Sequence, residues 1–290
     1  MGENELQSNG SKICRMLLFY LVVTSLLYVV AEAIFKALNL NVILVDYLSS
    51  IVSIATTTLY FVKRYQKKWD IKINWQINES FEKKDLIKYI LLGLGISFLM
   101  SILVSLMMSA LENVVIFETP DFTAKYTTID NFVIFIFVVL IGPIMEELLY
   151  RGLIFKKLQN YGWWYGAIIV SLLFALGHGN IPQAIGAFFI SLVLCLVTFK
   201  SDSLIPAIII HMLNNFIAQI SEYNNEVWQY IMSAFILVVA LIGLILLIKE
   251  FKKRPNLQLN YRISDFFKNV WGIVFLIFML LMIVSMIKFK

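Results

Sequence analysis

The sequence contains little charge and few cysteines for its length. Only 15% of its 290 residues are charged, 60% are hydrophobic, and the mean hydropathy is strongly positive. A water-soluble domain of this size does not need so much apolar surface, so the composition argues against a soluble globular class. Cys14 and Cys195 lie in separate apolar stretches, which argues against a disulfide framework and against a thiolate metal site. We expect both to be buried structural residues.

The sequence contains long apolar runs that few charged residues interrupt. Roughly 20 helical residues cross a hydrocarbon core about 30 Å thick. Eight or nine runs approach this length, and 184–199 is the weakest of them: 13–38, 42–62, 86–110, 131–157, 163–179, 184–199, 203–221, 227–248 and 269–288. No hydrophilic stretch between them is long enough for a soluble domain. The sequence therefore predicts an all-α, polytopic transmembrane helical bundle of eight to nine spans, with residues 1–290 forming a single domain.

Lysine and arginine predict the orientation, because they concentrate on the cytoplasmic side of a membrane protein. The segment 63–88 is strongly basic, whereas the connection 111–130 carries four carboxylates (Glu112, Glu118, Asp121, Asp130) against Lys125 alone. Alternation then places on the cytoplasmic side the N-terminus and these residues: Lys156, Lys157, Lys200, Lys249, Lys252, Lys253, Arg254, Arg262 and Lys268. The net charge of +5 is thus a topology signal, and no nucleic-acid partner is expected. The abundance of Ile, Asn and Lys suggests a prokaryotic plasma membrane.

The stretch IMEELLYRG, residues 144–152, places three charges inside one apolar run. A charge near the bilayer centre costs at least about 2.5 kcal/mol, so these side chains need partners or a cavity. Glu147 and Arg151 are four residues apart and share a helical face, which allows them to pair. Glu146 points about 100° away round the helix and is left without that partner. An isolated Glu–Arg pair would by itself indicate only a structural ion pair.

The two histidines of the chain, His178 and His211, lie within or at the end of predicted spans, and Asn215 follows His211 by one helical turn. Together with Glu146 they suit acid–base hydrolysis. The carboxylate takes a proton from water, one imidazole shares it, and the other imidazole with the amide stabilises an oxyanion. Zinc bound by Glu146, His178 and His211 is an alternative, although the HExxH spacing is absent.

Three motifs carry a family resemblance. They are EExxxR at Glu146, Glu147 and Arg151, FxxxH at Phe174 and His178, and HxxxN at His211 and Asn215. In this order, over about residues 131–221, they resemble the CAAX protease and bacteriocin-processing (CPBP) family of intramembrane endopeptidases. The segments 1–130 and 222–290 show no such motif and are predicted to be flanking transmembrane helices.

The resemblance implies an intramembrane endopeptidase in which Glu146 activates water with help from His178. His211 and Asn215 would form the oxyanion site, while Glu147 and Arg151 shape it. Metal-free and metal-dependent mechanisms have both been proposed for the family, and we expect no cofactor. The implied substrate is a hydrophobic peptide or a lipidated protein in contact with membrane lipid.

Two other functional classes stay open at this point. A proton or ion carrier also places Glu, Arg and His at mid-membrane, although the repeated broken helices of such carriers are absent from the sequence. A non-proteolytic immunity or scaffold relative of the family would bind a membrane partner through the flanking helices. From helix lengths, we expect the site to open to the cytoplasmic half of the membrane, near Lys156, Lys157 and Lys200.

Overall fold

The computed structural model describes residues 2–118, 127–221, 225–252, 259 and 261–290 of the chain. Most of this described part lies in ten helices. They are α1 (Glu3–Ala37), α2 (Val42–Trp69), α3 (Lys83–Leu111), α4 (Thr128–Tyr161), α5 (Trp163–Gly177), α6 (Ile181–Ser201), α7 (Ile205–Ser221), α8 (Glu226–Lys252), α9 (Ile263–Phe267) and α10 (Val270–Ser285). Each of the nine predicted apolar runs corresponds to one of these helices. The predicted all-α class is therefore confirmed.

The number of membrane spans differs from the prediction. Six helices are long and apolar enough to cross a membrane, namely α1, α2, α3, α4, α6 and α8. The apolar helices α5, α7 and α10 have only 15, 17 and 16 residues, fewer than the roughly 20 that a full crossing takes. The count of eight to nine spans is not confirmed. The run 184–199, predicted as the weakest, lies in a 21-residue helix that is among the six.

Sharp turns separate α5, α6 and α7. Gly179 follows α5 with φ +70°, and Asp202 follows α6 with φ +48°. A left-handed residue at this position ends a helix because the chain leaves the helical path there. The side chain of Asn180 then begins α6 by accepting a hydrogen bond from the Gln183 amide at 3.0 Å. These turns explain why three consecutive apolar runs are shorter than a full span or only just reach it.

A two-stranded antiparallel sheet, which the sequence did not predict, joins the end of α3 to the C-terminal residues. It consists of β1 (Val115–Phe117) and β2 (Ile287–Phe289), with Ile116 opposite Lys288. The predicted helical run 269–288 is wrong at its end, because α10 stops at Ser285. The backbone groups beyond it pair with β1, and Lys288 forms an ion pair with Glu118.

Most of the described basic residues gather at one end of the bundle, which we call the basic end; Lys36, Lys288 and Lys290 lie at the other end. Because successive helices alternate in direction, the ends of α2, α4, α6 and α8 meet the starts of α1, α3, α5 and α7 there. Lys156 bonds to Asp202 at 2.5 Å, and Asn74 donates to the same carboxylate at 3.3 Å. Lys88 pairs with Glu250 from α8. We call the opposite side the far end. Asp121, Lys125, Lys253 and Arg254, which were also used to predict orientation, lie outside the described residues.

Helix α4 lies at the centre of the fold, where it packs on α2, α5 and α7. On one side α3 and α8 approach closely at two glycines. A Cβ added to Gly95 would lie only 2.5 Å from the Cα of Gly243. Small residues allow such backbone contacts between helices in membranes. Cys14 and Cys195 are both buried and unpaired, as predicted. The bundle therefore holds α4 on several sides, and this packing fixes the side chains of its EExxxR motif.

Candidate active site

The helix that carries the two glutamates is irregular on both sides of them, because Ile136–Ile141 and Leu148–Phe155 are π-helical. Pro143 has no amide N–H and clashes with a regular α-helical turn before it. The preceding segment Ile136–Ile141 widens into a π-helix, and the Gly142 amide donates to the Phe137 carbonyl. In that pattern the Val138 carbonyl would receive the amide of Pro143, which has none. The Asn215 side chain supplies the missing donor, with its Nδ2 2.9 Å from the Val138 oxygen.

Glu147 belongs to an ionic cluster that is sealed from solvent. Glu147 and Arg151 are completely buried, and Arg151 Nη1 lies 2.8 Å from Glu147 Oε1, which is the pairing that their spacing predicts. His211 donates from Nδ1 to the same carboxylate oxygen at 2.7 Å. A carboxylate can only accept, so Nδ1 carries the proton and Nε2 is the nitrogen that faces Glu146. Among the described residues, Glu147 Oε2 has no hydrogen-bond partner in the protein.

The ring of Phe174 connects the motifs. Its centroid lies 4.8 Å from that of His178 and 5.9 Å from that of His211, both in edge-to-face geometry. The Arg151 guanidinium lies over the same ring at 4.6 Å, a cation–π distance. Phe174 therefore holds the two imidazoles and the guanidinium in fixed positions, which gives a physical reason for the phenylalanine of the FxxxH pattern.

His178 lies just beyond the end of α5, at the far end. Its Nδ1 is 2.9 Å from the Phe174 carbonyl. Because a carbonyl can only accept, Nδ1 is the protonated nitrogen, and in the neutral ring Nε2 has the free lone pair. Asn180 fixes the backbone here by donating to the His178 carbonyl at 3.0 Å. Sequence reasoning did not single out Asn180.

A cavity of about 700 Å³ brings the predicted residues together. Glu146, Phe174, His178, His211 and Asn215 all line it, whereas Glu147 and Arg151 lie behind its wall. The Glu146 side chain is 39% exposed, and its Oε2 lies 3.6 Å from His211 Nε2. That separation is longer than a hydrogen bond and leaves the carboxylate free to contact a water molecule.

Other polar residues in the cavity wall were not predicted. Helix α3 contributes Ser97, Ser101 and Ser105, which are spaced by four and so share one helical face. Gln183 from α6 and Asn214 and Gln219 from α7 also line it. Asn214 donates to the Asn215 side-chain oxygen at 3.2 Å, which orients that amide. The serine spacing was visible in the sequence and would have indicated that α3 turns a polar face inward.

The cavity lies on the opposite side of the bundle from the position expected. Glu146 and His211 lie near the middle of α4 and α7, and the other lining residues come from the second halves of α3 and α7, the first halves of α4 and α6, and the end of α5. All of these halves, and the end of α5, are directed toward the far end. The expectation of an opening beside Lys156, Lys157 and Lys200 is therefore wrong, because those lysines lie at the basic end. The helix lengths gave the distance of the site from the helix ends, but they did not show on which side of the bundle the cavity lies.

The predicted zinc ligands do not form a compact metal site. Zinc in protein sites takes three or four donors at about 2.0 to 2.3 Å. In the described parts of the chain, no group of three His, Cys, Asp or Glu side chains is arranged to hold a metal ion. The Nδ1 atoms of His178 and His211 are engaged with Phe174 and Glu147, which is also the usual arrangement of zinc-bound imidazoles, so Nε2 of each ring stays available. The arrangement of Glu146, His178 and His211 alone therefore speaks against zinc.

Comparison with known protein families identifies the segment that builds this site. Residues 128–217 match the family model described as type II CAAX prenyl endopeptidase Rce1-like. The resemblance to the CAAX protease family is confirmed. No curated protein and no solved structure matches the chain. Six helices long and apolar enough to cross a membrane, two of them within the Rce1-like segment, support an integral membrane protein.

The Rce1-like segment supplies only part of the cavity. It contributes Glu146, the two histidines and Asn215, from α4 to α7. The serine face on α3 lies outside the match, and so do α1, α2, α8 and α10. The surroundings of the motif residues therefore come partly from helices that the Rce1-like family model does not cover.

Proposed function

We propose that this protein is an intramembrane endopeptidase that hydrolyses a peptide bond of a lipidated or hydrophobic peptide by metal-free acid–base catalysis. One observation carries the proposal: Glu146, His178, His211 and Asn215 line a single cavity in a protein with an Rce1-like segment. A structural ion pair would account for Glu147 and Arg151, but it would not require an open carboxylate beside two imidazoles.

Glu146 is the proposed general base. A water molecule between Glu146 and the substrate loses a proton to the Glu146 carboxylate as its oxygen attacks the carbonyl carbon of the peptide. His178 shares in this step through Nε2, because its Nδ1 proton is held by the Phe174 carbonyl. The attack forms a carbon–oxygen bond and moves the carbonyl electron pair onto oxygen, giving a tetrahedral oxyanion.

His211 and Asn215 are the proposed oxyanion donors. Donation from His211 Nε2 requires the imidazolium form, because Nδ1 already donates to Glu147. The charge of that form would lie between the Glu146 and Glu147 carboxylates. Asn215 uses one amide hydrogen on Val138 and has a second for the oxyanion. Donors fixed in advance stabilise developing charge most effectively in a site of low polarity.

Collapse of the intermediate completes the reaction. The carbon–nitrogen bond breaks, and the proton held by Glu146 passes to the leaving nitrogen, which gives an amine and a carboxylic acid that then releases its proton to solvent as a carboxylate. Glu147 and Arg151 are positioning residues in this scheme, because they hold His211 and Phe174 without reaching the cavity.

The proposed orientation has the basic end in the cytoplasm, as the distribution of lysine and arginine requires. The cavity then belongs to the outer half of the membrane. In a background without Cys14 and Cys195, Ser101→Cys should react with a membrane-impermeant thiol reagent from the external face. Lys200→Cys, at the basic end, should react only when the cytoplasmic face is exposed. The opposite pattern would overturn this orientation.

A peptide panel tests the proposed activity. Purified protein is incubated with prenylated, acylated and unmodified hydrophobic peptides, with the Glu146→Gln variant as the inactive control, and products are read by mass spectrometry. We expect a single cleavage position in at least one class of peptide and no product from the variant. Products that form equally with both proteins, or no product from any peptide, would contradict the proposal and favour a carrier or a non-proteolytic relative.

A further inference from the structure

A second, smaller cavity lies on the other side of Glu146. It has a volume of about 200 Å³. Glu146 is the one residue that the two cavities share among those that line them in the described part of the chain. The carboxylate therefore separates a large polar space from a small one.

The small cavity is apolar in character. Its lining includes Leu17, Leu21, Ile54, Leu149, Phe275 and Met279. Two hydroxyls on its wall already have partners, since Tyr20 is hydrogen-bonded to Thr58 at 2.9 Å and Thr24 donates to the Tyr20 carbonyl at 2.8 Å. Apart from Glu146 and the Tyr150 hydroxyl, which also line the cavity, its wall is mainly apolar, and a mainly apolar wall favours an apolar occupant over water.

Most of this wall comes from helices outside the Rce1-like segment. Leu17 and Leu21 belong to α1, Ile54 to α2, and Phe275 and Met279 to α10. Phe275 and Met279 are almost fully buried, at 2% and 1% exposure. The matched segment contributes Leu149 and Tyr150 from α4 and Gly177 at the end of α5. A role for this cavity would therefore explain what α1 and α10 contribute to the site.

We propose that the small cavity binds one apolar side chain of the substrate, on a residue that flanks the scissile bond. The inference rests on the proposed function, in which Glu146 holds the attacking water within hydrogen-bond reach of that bond. Successive side chains of an extended peptide point to opposite sides. When the peptide lies in the large cavity, a side chain beside the scissile bond is directed past Glu146 into the small one.

The size of the cavity limits the occupant to one large side chain. At about 30 Å³ for each water-sized group, a space of about 200 Å³ holds roughly seven heavy atoms. Leucine, methionine and phenylalanine side chains have four to seven. Hydrophobic pockets of this kind discriminate between substrates by about 10- to 200-fold for a change of one methylene. The α1–α10 wall would thus be a specificity determinant rather than part of the catalytic machinery.

Three variants test the assignment. Phe275→Ala enlarges the small cavity, and Leu21→Phe fills part of it. Phe278→Ala is the matched control, because Phe278 lies on the same helix but is 40% exposed on the outside. Each protein is given peptides that differ only at the residues flanking the cleaved bond, with Ala, Leu, Phe or Trp in turn, and kcat/KM is measured for every peptide.

We expect Phe275→Ala to shift the preference toward Trp, and Leu21→Phe to shift it toward Ala, each by at least about 10-fold. Phe278→Ala should keep the wild-type order. If Phe275→Ala does not fold, the shift in Leu21→Phe decides the matter alone. An unchanged order in folded Leu21→Phe, with the wild type active, would overturn this inference and leave the proposed function intact. A wild type inactive on all peptides would overturn both.

Discussion

The two faces of α4 place the neighbouring residues Glu146 and Glu147 in opposite environments. On the cavity face Glu146 is open, its Oε2 lies 3.6 Å from His211 Nε2, and no described residue forms a hydrogen bond with it. On the buried face Glu147 is sealed and bonded to Arg151 and His211. A step of about 100° round a helix is enough to separate the two environments. Identical side chains can therefore have a chemical role on one face and a structural role on the other, and substitutions should distinguish them.

The largest effect is expected from Glu146→Gln. Removing the general base should lower kcat by about 10²- to 10⁴-fold, the usual contribution of acid–base catalysis. The melting temperature in detergent should stay close to that of the wild type, because the side chain is 39% exposed and has no hydrogen bond to lose. Turnover by mass spectrometry and thermal unfolding of the same preparation are the measurements. Wild-type turnover in this variant would remove Glu146 from the mechanism.

Glu147→Ala should act mainly on stability. It leaves Arg151 buried without its partner, and loss of one member of a buried pair costs about 3 to 5 kcal/mol. It also removes the acceptor that fixes His211 Nδ1. We expect little folded protein, measured by gel filtration and thermal unfolding. A variant that is stable yet inactive would instead assign Glu147 to the catalytic group.

A smaller effect is expected far from both glutamates, at the basic end. The Lys156 hydrogen bond lowers the pKa of Asp202, which lies in the turn between α6 and α7, below its ordinary 3.8. The folded state then binds its proton less readily than the unfolded state, so the contribution is full above pH 3.8 and is lost as the pH falls through the lowered value. Because Asp202 is largely exposed, the gain is about 1 kcal/mol at most.

Asp202→Asn should remove this small dependence while leaving cleavage at neutral pH unchanged. Unfolding of both proteins by denaturant from neutral to acidic pH gives the comparison. If the two curves run parallel down to the lowest pH, the Lys156–Asp202 bond contributes nothing to stability.

No effect is expected from chelation. If the three candidate ligands act as acid–base groups, exhaustive treatment with a strong chelator should leave the rate unchanged, and purified protein should contain well under one equivalent of zinc. Stoichiometric zinc, with activity that disappears on its removal and returns on its addition, would show that Glu146 and the histidines are ligands after all.

Local rules predicted the positions of the helices and the pairing within the motif. Apolar runs give helices because a buried backbone must satisfy its own hydrogen bonds. The four-residue spacing of Glu147 and Arg151 predicted their contact. These features depend on residues close together in the chain, so one sequence is sufficient to predict them.

Features that depend on distant residues could not be predicted in the same way. The turn before Pro143 is widened, and it leaves the Val138 carbonyl without a backbone donor. The bond that Asn215 donates to this carbonyl joins residues 77 positions apart. The small cavity needs α1 and α10, from opposite ends of the chain. The side to which the large cavity opens was predicted wrongly, because distance along one helix does not say where neighbouring helices leave space.

The bond between Asn215 and the Val138 carbonyl has a spectroscopic consequence. Because the proline removes the backbone donor, this carbonyl reports on a side chain of the proposed oxyanion site and not on its own helix. An isotope label on the Val138 carbonyl would give a resolved amide I band whose frequency follows the strength of that single bond. When a substrate analogue engages the other hydrogen of the same amide, the band should shift, so one vibration in α4 would record occupancy of the site without any change to its residues.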